Sequence, residues 1–222
     1  MKQFFYHFPL SLLILFVGCE QKKTDHQGEA NAYMHQTKFE ELVARFESPK
    51  RAKWQKPDEV MRLLGPLEGK KVMDLGCGSG YFTVRLLAAG ASVIAADVNQ
   101  EFLDYIKKRV EEETESAPEI SYRKLPNDSP KLEAAEVDMV LTVNVYHHIE
   151  NRAAYFTQVK QGLAPEGKLV IVDFFKKETP KGPPYKMRIP AEQVEKELLE
   201  AGFKKFEVRK DVLPYQYILI AQ

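Results

Sequence analysis

The sequence predicts an α/β fold: a seven-stranded, mostly parallel sheet with helices on both faces and an antiparallel last strand. Three observations predict it. Apolar runs rich in Val, Ile and Leu alternate with stretches of helical periodicity, which implies crossovers between parallel strands. A glycine-rich turn, Gly76-Cys77-Gly78-Ser79-Gly80, joins the first apolar run to a helix. The last two runs are linked through Leu213-Pro214, too short a connection for a crossover, so those strands must pair antiparallel.

Each element has its own signal. Phe39, Leu42, Val43 and Phe46 recur at helical spacing, and Ser48-Pro49 stops that run. Residues 57–64 form a second short helix, closed by Gly65-Pro66. Residues 71–75 are the first buried strand, 79–89 a helix ended by Gly90, and 92–97 the second strand. A helix over 100–113, strands over 119–125 and 137–144, and a helix over 152–163 follow. Ala164-Pro165-Glu166-Gly167 reads as a turn before the fifth strand, 168–174. A helix over 191–201 is stopped by Gly202, and residues 204–209 and 215–221 are the last two strands.

Composition narrows the function classes. The 222 residues hold 32 Lys plus Arg against 32 Asp plus Glu, and 44% are hydrophobic. That balance excludes a disordered chain and a polytopic membrane protein, and two cysteines, Cys19 and Cys77, exclude a disulfide scaffold. It also leaves no basic footprint for nucleic acid. The charge is unevenly placed, because Lys2 is the only charged residue among residues 1–18.

An apolar core from Phe8 to Val17 follows that lysine. It falls short of the roughly 20 apolar residues of a spanning helix and suits the hydrophobic region of a signal peptide. Gly18-Cys19, after Leu15-Phe16-Val17, resembles the lipobox of bacterial lipoproteins, with Phe16 where Leu is usual. The resemblance implies a lipidated Cys19 as the mature N-terminus and attachment to a membrane. Residues 1–18 are then a signal segment, 19–35 a polar tether and 36–222 the folded domain. The alternatives are an uncleaved anchor, or a start at Met34 and a cytoplasmic protein.

The glycine turn selects a ligand class. Its spacing is G-x-G-x-G, not the G-x-G-x-x-G of dinucleotide sites, and Asp74 stands two residues before the first glycine. An acid there repels a pyrophosphate and pairs with an ammonium. S-adenosylmethionine carries an amino group and a sulfonium and no phosphate. The glycine spacing, the acid and the antiparallel last strand resemble the class I S-adenosylmethionine-dependent methyltransferases, over roughly residues 36–222. The resemblance implies a Rossmann-like sheet and a cofactor held by Asp74, Gly76, Cys77, Gly78, Gly80 and Asn144. Asp97, 21 residues after Gly76, ends the second strand where an acid accepts hydrogen bonds from ribose hydroxyls. Val98 would pack on adenine, and Asp128, in the loop after the third strand, would meet the adenine amino group. The opposing readings are a tight turn without ligand and a solvated strand-end Asp97.

The fourth strand leads into Asn144-Val145-Tyr146-His147-His148-Ile149. A His-His-hydrophobic step at this place resembles the UbiE-like and type 11 methyltransferases. Tyr146, His147 and His148 are therefore the catalytic candidates, with one histidine either a general base or a packed side chain. Adjacent strand residues point to opposite faces, so the two histidines would not share a metal, and no third ligand stands at metal spacing. There is no Asn-Pro-Pro-Tyr, the strand-end motif of many enzymes that methylate amino groups of DNA bases or glutamine.

Trp54-Gln55-Lys56-Pro57-Asp58, Lys181 to Arg188, and Leu213 to Tyr217 resemble a narrower bacterial branch. Lys181, Lys186 and Arg188 either meet an anionic acceptor or form a solvated basic loop. Trp54 either caps the cofactor pocket or packs the N-terminal helices, and Tyr215 and Tyr217 suit strand aromatics. The leading expectation is a methyltransferase for a small-molecule acceptor. A lipid-anchored nucleoside-binding protein without turnover stands beside it, and a nicotinamide oxidoreductase fits the glycine spacing worst.

Overall fold

The computed structural model describes residue 1 and residues 36–113 and 119–222. The expected signal segment, the tether and Cys19 lie outside the described residues. Three short helices lead in: α1 (Phe39–Phe46), α2 (Pro49–Gln55) and α3 (Pro57–Leu64). There follow β1 (Lys71–Leu75), α4 (Thr83–Ala88), β2 (Ser92–Asp97), α5 (Gln100–Glu113), β3 (Ile120–Lys124) and β4 (Val137–Val143). A 3-10 turn at Tyr146–His148 precedes α6 (Arg152–Gly162) and β5 (Leu163–Phe174). Then come α7 (Ala191–Glu200), β6 (Phe206–Arg209) and β7 (Gln216–Ala221).

The seven strands form one sheet in the order β3-β2-β1-β4-β5-β7-β6. β1 through β5 pair in parallel, and β7 runs antiparallel to both β5 and β6. Strand order reverses between β1 and β4, so their carboxyl ends border the crevice where open parallel sheets bind ligands.

Parallel strands covered on both faces read as continuous apolar runs, and successive side chains serve opposite faces. Met73, Val140, Ile171 and Leu219 join Phe156 and Val159 of α6 and Val194 and Leu198 of α7. Val72, Leu141, Val172 and Ile218 join Val60 and Leu64 of α3 and Leu86 of α4. Ala95 of β2 packs on Leu103, Ile106 and Val110 of α5. Among the described residues, no helix is long and apolar enough to cross a membrane.

Three boundaries differ from the sequence expectation. Pro49 opens a helix as well as following one, because a proline at the first helical position loses no hydrogen bond. The helix after the glycine turn starts at Thr83 instead of residue 79, since Gly76, Gly78 and Gly80 have φ of 73°, 53° and 82°. The expected turn at 164–167 lies inside β5, where pairing jumps from Val137↔Leu163 to Met139↔Lys168 and accommodates the extra residues as a bulge.

Leu141 is fully buried between β1 and β5. Leu141→Ala is expected to lower the unfolding free energy by about 2–5 kcal/mol, measured by urea denaturation.

Candidate active site

The turn after β1 depends on missing side chains. A Cβ on Gly76 would lie 2.4 Å from Cγ2 of Val145, and one on Gly80 would lie 2.9 Å from Cγ1 of Ile106. Their absence brings the exit of β4 and the flank of α5 against the turn. The N–H groups of Gly76 and Cys77 donate to the carbonyl of Ala96, at 2.8 and 3.1 Å, which ties the turn to β2. Cys77 is buried, and burial pushes its thiol well up, so it is a packing residue and no nucleophile.

Asp97 ends β2 beside this turn. Gly78 N–H donates to its Oδ2 at 2.9 Å and Asn99 N–H to its Oδ1 at 2.8 Å. Burial pushes the carboxyl upward and those N–H bonds oppose it, with a net rise. A carboxylate has four lone pairs, so with Val98 N–H acting beside those of Gly78 and Asn99 it can still take a further donor. Val98 beside it is an apolar side chain left 46% exposed. Asp128 is exposed in the loop after β3, which starts where Leu125 N–H donates to the Asp97 carbonyl at 2.9 Å.

Asp74 is 3% exposed and accepts a 2.7 Å hydrogen bond from Thr83 Oγ1. Burial raises its carboxyl to about 6, with the charge of Asp97 adding and Thr83 and Arg51 opposing. The charged form of this carboxylate is thus short of compensation.

The N-terminal helices lie across the turn. The Phe46 ring is 3.4 Å from where a Gly78 Cβ would sit and stacks on Phe102 at 5.7 Å. Glu47 accepts from Ser79 Oγ and from Nη1 of Arg109 at 3.0 Å. Arg51 of α2 donates through Nη1 to the Phe46 carbonyl at 3.0 Å and lies over the Tyr81 ring at 4.0 Å. Its Nε is buried without a hydrogen-bond partner. Trp54 packs on Phe174 at 5.7 Å, which decides its role as packing against the end of β5.

Three amides close a ring at the strand ends. Gln55 Nε2 donates to Gln216 Oε1 at 2.7 Å, Gln216 Nε2 donates to Asn144 Oδ1, and Asn144 Nδ2 donates to Gln55 Oε1 at 3.2 Å. Asn144, expected to bind cofactor, has its side chain engaged in this ring at a φ of 61°. Its contribution is to tie α2 to the ends of β4 and β7.

The three catalytic candidates separate. Tyr146 is fully buried, stacks on Phe156 at 5.0 Å and donates to Glu197 Oε2 at 2.5 Å, where Arg152 also binds. Burial and then Glu197 push its phenol far up. This tyrosine is a core residue joining the β4 exit to α7, and the catalytic expectation for it is corrected. His147 is 6% exposed, and its Nδ1 lies 3.0 Å from both oxygens of Asp173. Burial would raise the Asp173 carboxyl, but the adjacent His147 outweighs it and holds it low. His148 lies against His147 with ring centroids 4.3 Å apart. Burial, then the neighbouring His147, depress it to about 3, so it is a neutral ring and a poor base near pH 7. The strand-alternation argument fails here, since Tyr146–His148 is a 3-10 turn. Among the described residues, no group of three His, Cys, Asp or Glu could hold a metal ion.

The basic loop is also corrected in part. Arg188 is buried, and its guanidinium donates to the carbonyls of Pro183, Lys177 and Lys181 and to Thr179 Oγ1. It folds the loop over Phe174 and does not face an acceptor, whereas Lys181 and Lys186 are exposed. Tyr217 is buried, its hydroxyl donating to the Ile189 carbonyl at 3.1 Å. Arg51, Gln55, Asp173 and Gln216 had not been expected at the site; the sequence signals were the Asp at the end of an apolar strand and the two branch-like stretches that hold Gln55 and Gln216.

The mostly parallel sheet and its antiparallel last strands are matched by known structures. An S-adenosylmethionine-dependent methyltransferase from Aquifex aeolicus superposes with a TM-score of 0.75 at 23% identity, covering 83% of this chain and 98% of that one. This is the Rossmann-like class I methyltransferase fold. A family model described as a methyltransferase domain matches residues 73–171. The chain is 33% identical over 93 residues to an O-antigen chain terminator bifunctional methyltransferase/kinase of Escherichia coli, covering 41% of this chain and 13% of that protein. It is 30% identical over 105 residues to a ubiquinone biosynthesis O-methyltransferase of Cereibacter sphaeroides, covering 47% and 41%. The chain thus spans less than half the length of these curated relatives. Arg51 and Gln55 lie before the matched segment, and Asp173 and Gln216 lie beyond it.

Because the Asp74 carboxyl is raised on folding, the folded chain holds its proton more tightly than the unfolded one. Its burial therefore costs nothing well below pH 4 and destabilises progressively as pH rises through about 6, by up to about 3 kcal/mol. Asp74→Asn is expected to raise the melting temperature of the ligand-free protein more at pH 7.5 than at pH 4.5, read by differential scanning calorimetry.

Proposed function

We propose that this chain is an S-adenosylmethionine-dependent methyltransferase acting on a small-molecule acceptor. The observation that carries it is that the carboxyl ends of the parallel strands bring to one edge of the sheet the glycine turn, Asp97, whose carboxylate can take a further donor, and a His147–Asp173 pair. The family match over residues 73–171 supports both the activity and the cofactor. The residues fit that cofactor: Asp97 can accept from two vicinal hydroxyls, Val98 offers an apolar face to a base, and Asp74 offers charge to an ammonium. Asp128, exposed on the loop beside Asp97, is the remaining partner for the base. Even charge, 32 basic against 32 acidic residues, favours a small acceptor over nucleic acid.

When bound, S-adenosylmethionine supplies a methyl group on a positively charged sulfur, an activated electrophile. The chain's own tasks are then alignment, exclusion of water and removal of the acceptor's proton. Asp173 accepts from Nδ1 of His147, so Nε2 is the ring atom that would take the acceptor's proton. The packed Trp54 and Phe174 shield the β5 end from solvent.

Calorimetric titration with S-adenosylhomocysteine is expected to show one site per chain, and no binding overturns the proposal. With methyl-labelled S-adenosylmethionine and a low-molecular-weight cell extract, His147→Gln and Asp173→Asn are expected to slow label transfer by about 10²–10⁴-fold. Their affinity for S-adenosylhomocysteine should stay within a few-fold of wild type.

Cys19 is further proposed as a lipid attachment point, with residues 20–35 as a tether. Support comes from the Phe8–Val17 apolar run before Gly18-Cys19. Metabolic lipid labelling with cell fractionation should find label and membrane association in the wild type and neither in Cys19→Ala. An unlabelled, soluble wild type leaves the cytoplasmic alternative.

A further inference from the structure

Two charges at the glycine turn, the buried Asp74 and the half-buried Arg51, lack close partners of opposite sign. Asp74, at the end of β1, has only neutral partners, the hydroxyl and the backbone N–H of Thr83. Arg51, on α2, has one nitrogen on the Phe46 carbonyl and its guanidinium over the Tyr81 ring, yet its Nε is buried and unpaired. Among the described residues, no carboxylate stands within ion-pair distance of Arg51. Burial depresses this guanidinium to about 10, with Glu47 and Asp74 acting on it only at longer range. A buried, unsatisfied donor on a cation is costly and asks for an explanation.

The two groups bracket the same turn. Tyr81 and Phe82, which the guanidinium overlies at 4.0 and 5.9 Å, directly follow Gly80. Asp74 precedes Gly76, and Asp74 and Arg51 each feel the other's charge. A buried anion lacking a cation and a half-buried cation lacking an anion, set apart across a ligand turn, are complementary to a zwitterion. The amino-acid end of the proposed cofactor is one, with an ammonium beside a carboxylate.

We infer that Arg51 holds the carboxylate of the cofactor's amino-acid moiety through its Nε edge, opposite Asp74 for the ammonium. The assignment rests on the S-adenosylmethionine reading. It gives α2, which lies outside the matched segment, a binding role. The stack on Tyr81 and the bond to Phe46 fix the guanidinium plane beforehand, so little rotamer freedom remains to be lost on binding. Carboxylate recognition by such an edge is a charge-assisted hydrogen bond, among the strongest available to a protein.

Two ligands separate this role from a structural one: S-adenosylhomocysteine, and 5′-methylthioadenosine, which has the nucleoside and thioether but no amino acid. Calorimetric titration of Arg51→Met is expected to show a loss of about ten- to a hundredfold for S-adenosylhomocysteine. Affinity for 5′-methylthioadenosine should stay within twofold of wild type. Arg51→Lys keeps the charge but not the planar edge, and should fall between wild type and Arg51→Met for the first ligand only. Equal losses for both ligands, or no loss for S-adenosylhomocysteine, overturn the assignment. A wild-type chain that binds neither ligand overturns the cofactor reading and this assignment together.

Discussion

A methyl group on Gly76 would stand 2.4 Å from a methyl carbon of Val145, a separation no packed side chain tolerates. The absence of that side chain lets the exit of β4 close onto the end of β1, in a backbone region that L-residues rarely adopt. From this approach follow the other placements. Asn144 and His147 leave β4 beside the turn, Asp97 reaches Gly78 N–H from β2, and Ile106 of α5 closes on Gly80. A bulkier residue at 76 would separate β1 from the β4 exit, and with it the cofactor-side acids from the imidazole. The turn is therefore a packing element first: the N–H groups of Gly76, Cys77, Gly78 and Gly80 are all engaged within the fold.

The N-terminal helices complete what the sheet begins. α1 sets Phe46 against Gly78 and Phe102, and Glu47 ties it to Ser79 and Arg109. α2 contributes Arg51 to one side of the crevice and Gln55 and Trp54 to the other, so seven residues of helix touch both halves of the site. In the amide ring, each of Gln55, Asn144 and Gln216 donates once and accepts once. Removing any one leaves two buried amides short of a partner. Such a ring holds helix and strand ends in one register more tightly than apolar contacts of similar size.

The sheet was legible because buried parallel strands leave apolar runs, a mark that β2, β4 and β5 carry plainly and the edge strand β3, Ile-Ser-Tyr-Arg-Lys, does not. The antiparallel end followed from the length of one link, and the glycine turn from its spacing. What was hidden depends on partners distant in sequence. Pro49 looks like a stop until Gln55, six residues later, finds Gln216 across the fold. Tyr146 looked catalytic because it adjoins His147, yet its hydroxyl goes to Glu197 on α7, a contact with no local signal. His147 and His148 were indistinguishable as letters. The 3-10 turn and Asp173 separate them, one imidazole anchored to a carboxylate and the other a half-buried neutral ring. Arg188 looked like a solvent-facing charge and proves to be the hub of its own loop, because a guanidinium can satisfy several carbonyls that a short loop leaves unpaired.

Electrostatics links these parts to function. Asp74 and Arg51 are each displaced from their ordinary ionisation by burial, in opposite directions, and each shift measures a charge held without full compensation. The ligand-free fold carries that cost. A zwitterionic ligand that pairs both relieves it in the bound state alone, so part of the binding free energy is set up in the empty site. His147 differs, since its carboxylate partner is built in and Asp173 stays ionised beside it. Two regimes thus stand side by side: on the proposed cofactor side the charges wait for an outside partner, whereas the proposed base is already bonded to its carboxylate within the fold. A group that must bind and release a ligand suits the first, and a base that must hold one tautomer through every turnover suits the second.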